Sequence, residues 1–149
     1  MTRLRRPAHR GQTLVEFALI LPIFILVLVG IFDMGRAVYQ YNVISNAARQ
    51  GMRLAIVDQN TTAITNEAVQ HALGMATAGN VTVQFIDTAN ATTYNTCSAA
   101  PTGCHIGWQV VVTVTSDYTA ATPVIGNLVG TISMASTSKQ VIESVYTSP

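Results

Sequence analysis

Leu14–Phe32 constrains this chain more than any other stretch. It contains 19 residues with one charge, Glu16, and Phe17–Phe32 leaves the strictly apolar set only at Pro22 and Gly30. As a helix it spans about 29 Å at 1.5 Å per residue, close to the hydrocarbon thickness of a bilayer. Pro22 and Gly30 fit, since both residue types are commoner in membrane helices than in soluble ones. The run predicts a transmembrane helix. A cleaved secretory signal is the competing reading, but the apolar region is too long for one. No small-x-small site closes it either, because Asp33-Met34-Gly35-Arg36 comes next.

The flanks give the span a direction. Arg3, Arg5, Arg6 and Arg10 precede it without an acid among them, whereas past Val57 the only basic residue is Lys139. Cytoplasmic flanks carry the excess of Lys and Arg, so the N-terminus is expected in the cytoplasm and the C-terminal domain outside it. Phe32, Tyr39 and Tyr41 are expected near the outer interface, where aromatic rings are favoured. A body so poor in cations has no basic face for phosphates, which excludes nucleic-acid binding. The 149 residues, 49% hydrophobic and only 10% charged, leave room for one domain beyond the span.

Beyond the membrane run, 33–57 continues without a helix breaker. Met34, Val38, Tyr41, Ile44, Ala48, Met52 and Ala55 recur at spacings of three and four, which predicts a core-facing stripe. Asn42, Asn46, Arg49 and Arg53 form the polar side. Together the two stretches predict one helix of about 45 residues, ~65 Å long. A turn at Asp58–Asn60, with Asn60 or Thr61 as N-cap, leads to a second amphipathic helix running to about Ala76 and stopped by Gly79.

From there the period becomes two. Val81–Ile86, Trp108–Tyr118 and Thr131–Val145 read as strands, the last as one or two. Helices followed by strands with short links predict an α+β fold with a small antiparallel sheet. The intervening Asp87–Gly107 reads as a loop. Its Cys97 and Cys104, in a translocated segment with Pro101 and Gly103 between them, suggest a disulfide. A metal site from Cys97, Cys104 and His105 lacks a fourth ligand at any usual spacing. The Asn-x-Thr triplets at Asn60, Asn80 and Asn90 are expected by chance in so Asn- and Thr-rich a chain. No nucleophile elbow, phosphate loop or zinc-protease motif occurs, so neither catalysis nor a cofactor is expected.

Arg10-Gly11-Gln12-Thr13-Leu14-Val15-Glu16-Phe17 resembles the processing site of type IV pilin-like proteins. Phe32-Asp33-Met34-Gly35-Arg36-Ala37 and Asn46-Ala47-Ala48-Arg49-Gln50-Gly51-Met52-Arg53 look like the TadE-like pseudopilins of tight-adherence (Tad/Flp) systems. Thr122-Pro123-Val124-Ile125-Gly126-Asn127-Leu128 is similar too, though less specific. The resemblance implies cutting by a prepilin peptidase between Gly11 and Gln12, and a role for Glu16, then the fifth residue, with Phe17 beside it. It further implies Asn46, Arg49, Gly51 and Arg53 as family positions, and other pilin-like subunits and the Tad secretion machinery as partners. The expected organisation is a cytoplasmic leader 1–11, a span 12–32 in the inner membrane, and an extracytoplasmic domain 33–149. The alternative is a permanently anchored binding protein whose leader is never cut.

Overall fold

The computed structural model describes residues 10–122, 126–127 and 129–145. The first helix, α1, runs unbroken over Arg10–Ala55 and includes Pro22, giving the single long helix expected. Its first half touches little: no residue over 11–32 is buried. The second half packs on a small domain.

That domain begins with α2 (Thr61–His71), which the Asn60 side chain caps by accepting from the amides of Thr62 and Ala63 at 3.0 and 3.2 Å. The helix ends five residues short of the expected Ala76. Leu73 and Gly74, both at positive φ, turn the chain back. Gly79 instead lies in a short 3-10 turn, Ala78–Asn80, leading into the sheet.

The strands β1 (Val81–Asp87), β2 (Thr92–Tyr94), β3 (Gln109–Thr119) and β4 (Thr131–Val141) form an antiparallel sheet of order β2-β1-β3-β4. The α+β class and the helices-then-strands order are as the sequence predicts. Strand β2 lies inside the stretch read as a loop. It pairs Phe85 with Tyr94 through only three residues, too few for a period to show. The last strand is single and stops at Val141. Past it, the Ile142 amide donates to the Trp108 carbonyl, and the Glu143 and Ser144 amides to that of Ile56.

Alternation decides which face is covered. Val110, Val112 and Val114 of β3, with Phe85 and Val83 of β1 beside them, point to the helices and are buried. The opposite face carries Thr82, Gln84, Thr113 and Thr115. Against the apolar face lie Ile44, Ala47, Ala48, Met52 and Ala55 of α1 and Ile64, Ala68 and Ala72 of α2. Small residues bring the helices close. A Cβ on Gly51 would stand 3.1 Å from that of Ala68 and 3.4 Å from Val112 Cγ1.

The expected stripe on α1 is half right. Ile44, Ala48, Met52 and Ala55 are buried, but Met34, Val38 and Tyr41 are 71%, 52% and 48% exposed. At 100° per residue Val38 lies about 120° from Ile44 around the helix, while Asp33 and Ala37 lie within about 20° of it. The row that faces the domain is therefore Asp33, Ala37, Gln40, Ile44, Gly51 and Ala55. Its first turns carry polar side chains, so a search for apolar periodicity follows the wrong neighbours.

Candidate functional site at the helix–domain junction

Asp33 is the first residue beyond the apolar run, and it is 6% exposed. Its carboxylate accepts from the amides of Ala121 and Thr122 at 3.0 and 3.2 Å and from the Thr122 hydroxyl. The Tyr118 hydroxyl donates to the Asp33 carbonyl at 2.7 Å. Arg36 completes the group, 3.7 Å from the carboxylate and over the Tyr118 ring. The end of β3 is thereby tied to α1 where the apolar segment stops. Two turns along from Asp33, Gln40 Nε2 donates to Ser116 Oγ at 2.6 Å, and Ser116 donates in turn to the Met75 carbonyl.

These contacts set the electrostatics. The Thr122 hydroxyl and then the Ala121 amide hold the Asp33 carboxyl below the usual aspartate range, outweighing the cost of burial. Burial, with the Asp33 charge added, pushes the Tyr118 phenol up. A charged Asp33 is the stable form, and it acts as a latch between helix and sheet. Sequence reading placed Asp33 only within a motif. Its helical phase with Ile44 was the available signal.

The positions singled out in the sequence are scattered along the molecule. Gly11 lies in the first turn of α1, and a Cβ there would meet nothing within 4 Å. Gln12 Nε2 donates to Glu16 Oε1 at 3.3 Å, one turn apart, and Phe17 is 62% exposed. Arg3, Arg5 and Arg6 lie outside the described residues, as does the side chain of Arg10, and so do Pro123, Val124, Ile125 and Leu128 of the C-terminal motif. Asn46, Arg49 and Arg53 are exposed. The two arginines line a groove of about 240 Å³ with Met52, Ile56, Ser138 and Gln140. Only Gly51 among the family positions is buried.

At the far pole Cys97 and Cys104 form a disulfide, with Cα atoms 5.0 Å apart. Their sulfurs are bonded to each other, and His105 Nε2 lies 2.8 Å from Thr102 Oγ1, so the three do not compose a metal site. Among the described residues no group of three His, Cys, Asp or Glu side chains gathers. The disulfide walls a polar cleft of about 670 Å³ shared with Asp58, Asn60, Thr61 and Thr62. The sequon asparagines have local tasks: Asn60 caps α2, Asn80 Oδ1 accepts from the Thr77 amide, and Asn90 Nδ2 donates to Asp87.

The arrangement is therefore a long helix, apolar and uncovered in its first half, locked to a small domain by a buried carboxylate. It is long and apolar enough to cross a membrane. No curated protein and no solved structure matches the chain. Residues 11–53, which carry both the uncovered half of α1 and its domain-packed continuation, match the family model described as TadE-like protein.

Proposed function

We propose that this chain is a TadE-like minor pilin or pseudopilin acting in assembly of a Tad/Flp-type pilus. The observation that carries the reading is the span of the family match, 11–53, on a helix uncovered over 11–32. In this reading 1–11 is a cytoplasmic leader removed by prepilin peptidase, 12–32 crosses the inner membrane and 33–149 is extracytoplasmic. The arginines at 3, 5, 6 and 10 support that orientation. The domain serves as a structural body, placed on the helix by the Asp33 latch, and it carries no catalysis.

Glu16 then has a specific task. Within an apolar helix a carboxylate is costly unless paired. The amine of a neighbouring subunit, newly made at Gln12, is a suitable partner. Glu16→Gln is expected to keep membrane insertion and leader removal but to lose association with other pilin-like subunits.

The test of the whole reading is the intact mass of the mature protein in cells with an active prepilin peptidase. The expected chain begins at Gln12. Retention of Met1–Arg10 would remove the mechanism's main support. The second reading, a permanently tethered binding protein, draws on the cleft at the far pole and predicts that retention.

A further inference from the structure

The two edges of the sheet are unequally guarded. Strand β2 forms one with three residues, whereas β4 forms the other with eleven. Edge strands are ordinarily blunted by shortness, proline, bulges or several charges. β4 contains no proline and one charge, Lys139, and its register with β3 runs from Thr131 to Val141 without a bulge. The Ile142 amide donates to the Trp108 carbonyl, and this pair continues the same register. Hydrogen-bonded pairs alternate in an antiparallel ladder, so the even-numbered β4 residues bond to β3. The odd-numbered ones, Thr137 and Lys139 among them, turn their amides and carbonyls to the open edge.

The side chains beside that edge select a charge. Past Arg36 the basic residues of the chain are Arg49, Arg53 and Lys139, and all of them stand by β4. Arg49 and Arg53, one turn apart on α1, line a groove with Ser138 and Gln140 of β4. These two oppose Val112 and Val110 and so share the helix-covered face of the sheet, but where β3 carries valine there, β4 carries polar side chains. The ion pairs among the described residues are Asp33–Arg36 and Glu67–His71. Both guanidiniums at the groove are thus exposed without a carboxylate beside them, and Glu143, just beyond β4, does not pair with either.

We infer that the β4 edge is a docking site for an extended acidic segment of a partner protein, added to the sheet as a fifth, antiparallel strand. Its main chain pairs with the odd-numbered β4 residues, as in other strand additions to an open edge. Its alternate side chains are carboxylates that face Arg49, Arg53, Ser138 and Gln140. Arginine suits this task, since its planar guanidinium offers paired donors to a carboxylate. The remaining side chains of the new strand lie on the other face, beside Thr137 and Lys139. A second copy of this chain, pairing edge to edge, does not meet the requirement, because β4 contains no acid to set against these cations. The inference holds independently of leader removal.

The experiment is amide exchange of the full chain in nonionic micelles. The probe is a synthetic peptide of about eight residues, within the usual strand length, alternating glutamate with valine. Its addition is expected to slow exchange at Thr137 and Lys139, with little change at Ser138, whose amide already faces β3. In the antiparallel arrangement the valines oppose Thr137 and Lys139. N-methylation of the valines should therefore abolish the protection, and N-methylation of the glutamates should spare it. Arg49→Gln together with Arg53→Gln, both at exposed positions, is expected to weaken binding about tenfold. Unchanged exchange at Thr137 and Lys139 overturns the inference, as does equal protection by a peptide alternating lysine with valine. Binding that survives valine N-methylation but fails in the arginine variant assigns the groove to carboxylates without an added strand, and also overturns it. Protection that rises with protein concentration in the absence of peptide gives the edge to a second copy, with the same consequence.

Discussion

The two halves of α1 are one continuous helix under two sets of rules. Over 11–32 no residue is buried, although Leu, Ile, Val and Phe dominate; over 33–55 Asp33, Val43, Ile44, Ala47, Ala48, Gly51, Met52 and Ala55 are buried. The first half is apolar on every side, which suits a surrounding of lipid. The second meets the sheet and α2 through one mixed row and leaves Met34, Val38 and Tyr41 exposed off it. The difference teaches that apolar content marks the half that the domain leaves uncovered, while small and polar residues at the right phase mark the half that packs on it.

The sharpest break of this comparison comes from paired truncations. Phe85 is fully buried under the helices, and Phe85→Ala is expected to cost about 3–5 kcal/mol of domain stability. Ile23→Ala, at a side chain 67% exposed on the first half, is expected to leave the domain's unfolding midpoint unchanged. Denaturant unfolding of both variants in micelles, followed by Trp108 fluorescence, measures the pair. An equal loss in both would show that the domain depends on the apolar half.

Reduction comes next. Opening the Cys97–Cys104 ring is expected to cost about 2–3 kcal/mol in the chain-entropy account. The loss is confined to the domain, leaving the helicity of 11–32 intact. Alkylation with and without reductant, expected to differ by two thiols, reports the bond itself.

The glycines separate the halves of the comparison more finely. A side chain at Gly51 would enter space filled by Ala68 and Val112, so Gly51→Leu is expected to cost about 1–3 kcal/mol. At Gly35 a Cβ meets nothing within 4 Å. Gly35→Ala is therefore expected to stabilise by about 0.5–1 kcal/mol through helix propensity. Thermal unfolding should move in opposite directions for the two.

The smallest effect sits at the boundary. The folded Asp33 pKa lies below the unfolded value. Its contribution is therefore full above about pH 4 and is lost as pH falls through the folded pKa. Asp87, held down by Asn90 and then by the Ala89 amide, titrates in the same sense, so global unfolding does not separate them. Amide exchange at Ala121 and Thr122 does. It should quicken on acidification in the native protein and show little pH dependence beyond intrinsic exchange in Asp33→Asn.

Much of the fold was legible because its cues are local. The period of two in Val110, Val112 and Val114 identifies the buried face of β3, and Asn60 before Thr61 identifies a helix start. The disulfide, too, was suggested by two cysteines around a bend. The misses involve partners distant in sequence. Strand β2 exists only because Tyr94 meets Phe85, and α2 stops early because the chain must turn back into β1. Of the positions singled out, Glu16 stood out as the single charge in the apolar run, and Gly51 came only with the family resemblance. Asp33 did not stand out, since a lone aspartate carries no sign of the amides that will meet it.

By itself the sequence determined the long helix, the abrupt end of its apolar run, the charge asymmetry about it and the α+β order of the domain beyond it. Each depends on residues within a few turns of one another. Only the tertiary structure decided which row of α1 faces the sheet, that Asp33 is buried, and that residues 121 and 122 return to the point where the apolar run ends. Those outcomes require groups 88 and 89 residues apart to meet. A buried carboxylate is stable only once its donors are in place, and the closure of the sheet against the helices brings them there.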